Sequence, residues 1–197
     1  MRLAWHICRL AFLVMALSSV PSIAHAQHVT FSHIDDAVPA RFFNPATTKP
    51  SALSPNTLII GMHTGMDWTL WKATEFRAST ASFSYVAAMD TIRFRVKAPA
   101  GYYVAKVTYR QRGTGTAERT GKVAGGSHWV VGDFASSLGI FSTTPGLSRT
   151  IDLTGRNLTT VPVSITASLF AFATPQLGAA SLALTGAEVQ VHLLRLP

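Results

Sequence analysis

Apolar and polar residues alternate with a period of two over most of this chain, the mark of strands that bury one face. In residues 91–96, Ile92, Phe94 and Val96 alternate with Thr91, Arg93 and Arg95. In the next run Tyr103, Ala105, Val107 and Tyr109 share one face, and Lys106, Thr108 and Arg110 take the other. Pro99-Ala100-Gly101 between them supplies fixed and positive backbone angles, so the two runs are predicted to form a hairpin. Residues 128–131 read as a short apolar strand entered from Gly125-Gly126, and Ile151 and Leu153 alternate with Thr150 and Asp152. The longest predicted strand puts Val161, Val163, Ile165, Ala167, Leu169 and Ala171 on one face, opposite Ser164, Thr166 and Ser168. Leu182 and Leu184 are predicted to pair through Thr185-Gly186 with a last strand, in which Val189, Val191 and Leu193 alternate with Glu188, Gln190 and His192.

Strands recur every 8–12 residues or so with turn residues between them, the rhythm of a sandwich or barrel. The fold predicted is all-β: a single antiparallel β-sandwich over residues 57–197, with jelly-roll or immunoglobulin-like topology. Residues 66–76 are the one helix-permissive window, and their Trp and Thr content argues equally for a strand. Residues 27–56, with Pro39, Pro45, Pro50 and Pro55, read as an extended lead-in with at most one edge strand near residues 28–34. There is no internal repeat.

The first 26 residues stand apart. Arg2 and Arg9 precede an apolar run at residues 10–17, Ser18, Ser19, Pro21 and Ser22 break it, and Ala24-His25-Ala26 offers small residues at a cleavage site. That run is too short for a bilayer span of about 20 residues. Residues 1–26 are therefore expected to be a signal peptide, with secreted or periplasmic export. Ser22-Ile23-Ala24 is a second acceptable end. Cys8 is the one cysteine, so the mature domain is expected to hold without disulfides or cysteine-bound zinc. No later apolar stretch reaches spanning length, and no membrane span is predicted. The net charge is +8, or +6 once Arg2 and Arg9 are removed, and the isoelectric point is near 10.3. Such a surface favours anionic partners, although charged residues make up only 13% of the chain, too few for a basic tail.

Residues 99–113, Pro-Ala-Gly-Tyr-Tyr-Val-Ala-Lys-Val-Thr-Tyr-Arg-Gln-Arg-Gly, resemble a strand pair in the ectodomains of PEP-CTERM-type exported bacterial proteins. The resemblance implies a bacterial, exported β-sandwich and no particular activity. The sorting tail of that group does not occur at Leu194-Arg195-Leu196-Pro197.

Two constellations are candidates for binding. If residues 91–96 and 103–110 form a hairpin, Arg93, Arg95, Lys106 and Arg110 gather on one sheet surface, extended by Arg112, Arg119 and Lys122. Such a cluster is a carboxylate or sulfate grip; its ordinary alternative is solvated sheet surface neutralised by Asp90, Glu118 or Asp133. Trp68 and Trp71 offer a stacking platform for sugar rings, with His63 and Asp67 beside them; the competing reading is half-buried core, which holds more strongly for Trp129.

Metal and catalytic readings are weaker. His63 with Asp67, and His28, His33, Asp35 and Asp36, are the imidazole and carboxylate groupings. Neither makes a recognised metal motif, and no metal or cofactor is predicted. Cleavage after Ala24 would leave an N-terminal His25, as in the copper brace of polysaccharide monooxygenases, but the disulfides usual there are missing. No Gly-x-Ser-x-Gly elbow is present, and the nine acids form no evident pair. Gly113-Thr114-Gly115 and Gly125-Gly126 are expected to be turn glycines rather than phosphate cradles.

The functional expectation is an exported, non-enzymatic protein that binds anionic or neutral polysaccharide or another envelope or matrix component, with no nucleic acid partner. The alternative is a structural protein that assembles with itself or a protein partner through edge strands, the lead-in serving as a docking segment.

Overall fold

The computed structural model describes residues 28–36, 42–63, 66–67, 72–73, 75–78, 84–117, 122–138, 147–173 and 180–197. Their alternating stretches form β1 (Thr30–Asp36), β2 (Lys49–Pro50), β3 (Thr57–Ile60), β4 (Met66–Asp67), β5 (Lys72–Ala73), β6 (Glu75–Ala78) and β7 (Ser84–Lys97). The series continues with β8 (Tyr102–Ala117), β9 (Lys122–Val131), β10 (Phe134–Leu138), β11 (Leu147–Asp152), β12 (Thr160–Ala173) and β13 (Ala180–Arg195). One 3-10 turn, Pro45–Thr47, interrupts the strands. No helix among the described residues is long and apolar enough to cross a membrane.

All pairings among the described residues are antiparallel, and the strands form two main sheets. One runs β1-β7-β12-β9-β10, the other β11-β8-β13-β3-β2 with β6 also on β13; β4 and β5 make a separate ribbon. The connectivity is nested: β9 pairs with β10, β8 with β11, β7 with β12 and β3 with β13, and successive pairs alternate between the sheets. That is the jelly-roll order, a long hairpin rolled onto itself, and it decides between the two topologies left open by the sequence.

On β12 and β7 the predicted inward faces are the observed ones: Val161, Val163, Ile165, Ala167, Leu169 and Ala171, and Ile92, Phe94 and Val96, are all buried. On β8 the prediction holds for Val107 and Tyr109, and Val189, Val191, Ile151 and Trp129 meet all of these in one apolar cluster. Tyr103 and Ala105 are buried but outside that cluster, and Val104 joins it instead, because the ladder with β13 shifts register between His192 and Leu193. Each large apolar side chain so buried contributes about 1.5–3 kcal/mol.

Three further local expectations are corrected. The hairpin between β7 and β8 does not exist: β7 pairs with β1 and β12, whereas β8 pairs with β11 and β13, so residues 98–101 cross from one sheet to the other. The turn chemistry explains this. Tyr102 N–H bonds the Pro99 carbonyl at 3.1 Å, and Gly101, with φ +79°, stands at the third position as in a type II turn. Two-residue hairpins need type I′ or II′, whose twist matches the strands, and a type II turn splays them apart. Second, Thr185-Gly186 is not a turn but a bulge within the continuous strand β13, between Leu184 and Gly186. Third, Gly113, Gly115, Gly125 and Gly126 lie inside β8 and β9. In both cases a long neighbouring strand keeps the ladder running, and continued pairing satisfies more backbone groups than a reversal would.

The lead-in is packed into the sandwich. β1 is an edge strand where one was expected, and beyond it Phe42 and Phe43 are fully buried. The carboxylate of Asp90 accepts both of their backbone N–H groups, at 2.9 and 2.8 Å. Gly61 lets this segment close down, because a Cβ there would strike Thr47 and the Asn44 carbonyl. The extra strand β2 pairs with β3. Among residues 42–55 pairing is confined to β2 and an isolated bridge between Phe43 and Met62, yet Phe42 and Phe43 are fully buried.

Candidate functional site

The exposed face of the five-stranded sheet is set by parity: with Ile92, Phe94 and Val96 inward, Arg93, Arg95 and Lys97 of β7 must point outward, and all three are exposed. Pairing then builds rows across four strands. Asp35, Arg93, Ser164 and Val130 follow one another across β1, β7, β12 and β9; Ser32, Arg95 and Pro162 form the next row. Two residues along a strand span about 6.8 Å, which separates the rows. Between them lies an open depression of about 320 Å³, lined by His33, Asp35, Arg93, Arg95, Val130 and Pro162 among others. β1 bulges beside it between Ser32 and Asp35, with His33 at φ 52° and its Nδ1 at 3.1 Å from Ser32 Oγ. Away from the arginines the face continues in polar pairs, Thr91 with Thr166 at 2.8 Å and His128 with Ser137 at 3.2 Å.

Lys106 and Arg110 stand on the outer face of the other sheet, with Arg112 next along β8. The four cations expected on one surface are therefore divided between two opposite surfaces, because β7 and β8 belong to different sheets. Their electrostatics also differ. Lys106 pairs with Asp152 at 3.1 Å and Arg110 with Glu188 at 3.3 Å, in each case a cross-strand neighbour. Arg93, Arg95 and Arg112 are in no ion pair among the described residues. The Asp152 carboxyl lies at about 2, held down first by the Thr154 hydroxyl, then by the Thr154 N–H and by Lys106. A second depression of about 350 Å³ lies on this face, where Arg110, Arg112 and Glu188 meet Ile59, Met62 and the bulge at Gly186.

Between the sheets the core holds a polar knot. Tyr109 OH donates to Gln111 Oε1 at 2.9 Å, Ser127 Oγ donates to the same oxygen, and Trp129 packs on Tyr109 with ring centroids 5.9 Å apart. Burial pushes the Tyr109 hydroxyl well above its usual pKa. Gln111 Nε2 and Trp129 Nε1 are buried without a hydrogen-bond partner among the described residues. Trp129 is thus core, as its sequence context predicts.

Trp68 and Trp71, with His25, Glu118 and Arg119, lie outside the described residues. Among the described residues no group of three or more His, Cys, Asp or Glu is placed to hold a metal ion. His33 and Asp35, grouped in the sequence as imidazole and carboxylate, instead border the arginine face. Pro162 and Val130 had no signal in the sequence, since only pairing between distant strands sets them beside Arg95 and Arg93.

No family model matches the chain, and no curated protein matches its sequence. One solved structure to which it is similar is that of TmCBM61 in complex with β-1,4-galactotriose, at 15% sequence identity over 87% of this chain and 90% of that one, with a TM-score of 0.29.

Proposed function

We propose that this chain is an exported, non-enzymatic jelly-roll protein that binds acidic polysaccharide across the outer face of its five-stranded sheet. The observation that carries the reading is the pair Arg93 and Arg95: side by side on one strand face, exposed, and in no ion pair among the described residues. Guanidinium groups bind carboxylates and sulfates through paired, charge-assisted hydrogen bonds. Pro162 and Val130 give the apolar C–H faces of a sugar ring a surface, and Ser32 and Ser164 lie in the same rows for its hydroxyls. The depression is shallow and open, suited to a polymer lying across it; enclosed small-molecule pockets bury most of their ligand.

The sheet edges support this reading over strand-mediated assembly. β1 is bulged and carries Asp35 and Asp36, β2 has two residues including Pro50, β10 has five, and β11 has six with Arg149 and Asp152 among them. Bulges, charges, proline and short length are the devices that keep edges from pairing with other chains.

The test is retention of the purified mature protein on an immobilised polyuronate, with a neutral galactan as comparison. Wild type should be retained on the polyuronate and released by salt, because exposed charges are screened over roughly 8 Å at physiological ionic strength. Arg93→Ala with Arg95→Ala removes two contacts worth about 0.2–1 kcal/mol each, roughly a two- to thirty-fold loss of affinity, and should elute at lower salt. Elution of the double variant with wild type would overturn the assignment.

A further inference from the structure

We infer that the protein holds two acidic polysaccharide chains at once, one on each outer face, and so cross-links them; this rests on the polysaccharide reading of the first face. The second face repeats the device of the first. Arg110 and Arg112 stand two apart on β8, both exposed, as Arg93 and Arg95 do on β7. Each of these strands is second from the edge of its sheet, and each arginine pair lies beside a bulge in the neighbouring strand: β1 between Ser32 and Asp35, β13 between Leu184 and Gly186.

The bulge has a direct consequence on β13. Gly186 is the cross-strand partner of Arg112 and brings no side chain, so the guanidinium has no acid across from it and open space beside it. The depressions are of like size, about 320 and 350 Å³, and each combines two arginines, one acid and an apolar wall. In the second the wall is Ile59, 39% exposed, with Met62 beside it. Glu188 engages Arg110, while Arg112 is in no ion pair among the described residues. Because the sheets pack face to face with about 10 Å between them, the two outer faces look in opposite directions, and a chain lying straight on one cannot reach the other.

The experiment pairs a count with a network readout. Short oligouronates titrated calorimetrically should bind wild type at two per protein. Long polyuronate mixed with wild type at low salt should scatter light, with a maximum that falls again when polymer is in excess. Arg110→Ala with Arg112→Ala should remain on the polyuronate column, bind one oligouronate and lose the scattering. Arg149→Ala with Arg156→Ala removes the same charge from exposed positions outside both depressions and should keep it. Urea midpoints should differ little, that of the Arg149/Arg156 variant falling slightly because the Arg156 guanidinium lies over the Phe134 ring, 5.3 Å from its centroid. A wild-type count of one, or scattering that survives in the Arg110/Arg112 variant, overturns cross-linking and leaves the first face standing. Scattering lost equally in the Arg149/Arg156 variant also overturns it, as bulk charge neutralisation. No retention of wild type on the polyuronate column removes the first reading itself.

Discussion

Asp90 joins the lead-in to the sandwich, and its replacement tests that joint. The carboxylate is 2% exposed; one oxygen takes the N–H groups of Phe42 and Phe43 at 2.9 and 2.8 Å, and the other takes Thr91 N–H at 2.8 Å. Asp90→Ala strips the acceptor from two buried donors. A buried donor left unpaired costs about 1–3 kcal/mol, so these two alone cost about 2–6 kcal/mol. Against a typical domain stability of about 5–15 kcal/mol, that is a large fraction. Asp90→Asn is the finer probe. Its carbonyl still serves Phe42 and Phe43, but its NH2 then faces Thr91 N–H, donor against donor, and the loss should be nearer about 1–3 kcal/mol. Urea unfolding followed by tryptophan fluorescence gives both values, and limited proteolysis should show faster cleavage within residues 28–56 in the alanine variant. A loss below about 1 kcal/mol for Asp90→Ala would refute the reasoning; the aromatic pair would then hold the segment without the carboxylate.

Two further outcomes follow from single positions. Gly101 has φ +79°, and a Cβ there would find nothing within 4 Å, so Gly101→Ala meets backbone strain and no clash; it should cost about 1–2 kcal/mol in urea unfolding, and no loss would mean the turn is not left-handed at that residue. The Asp152 carboxyl, at about 2, lies below the roughly 3.9 of an unfolded aspartate, so its contribution to stability is present above about pH 4 and is lost as the pH falls toward 2. Thr154→Ala keeps the backbone N–H bond and removes the hydroxyl, so the Asp152 carboxyl NMR titration should move part of the way up toward the ordinary value; an unmoved titration would mean that the hydroxyl does not hold it down.

Much of the strand content was legible because burial of one sheet face writes itself into the chain at period two. β12 is the clearest case: six inward residues alternate through fourteen, and all six are buried. Turn chemistry was legible only in part. Pro99-Ala100-Gly101 announced a positive φ, and Gly101 has one, but the third-position glycine also marked a turn unsuited to a hairpin. The glycines at 113, 115, 125, 126 and 186 resemble turn residues locally; only long neighbouring strands keep them in ladders.

Along an unbulged stretch the in-or-out parity of side chains is a local property, so alternation alone marks Arg93, Arg95, Lys106 and Arg110 as surface residues and the inward faces of β7 and β12. A bulge breaks that parity: Val104, outward by the alternation of β8, is core because the ladder with β13 shifts register beside it. Which surface each cation occupies depends on strand pairing, which only the tertiary structure decided. Rows across a sheet are made by strands far apart in the chain, as with Asp35, Arg93 and Ser164, and no local period records that pairing. The jelly-roll nesting sends β7 and β8 to different sheets, and one expected basic face becomes two faces looking in opposite directions.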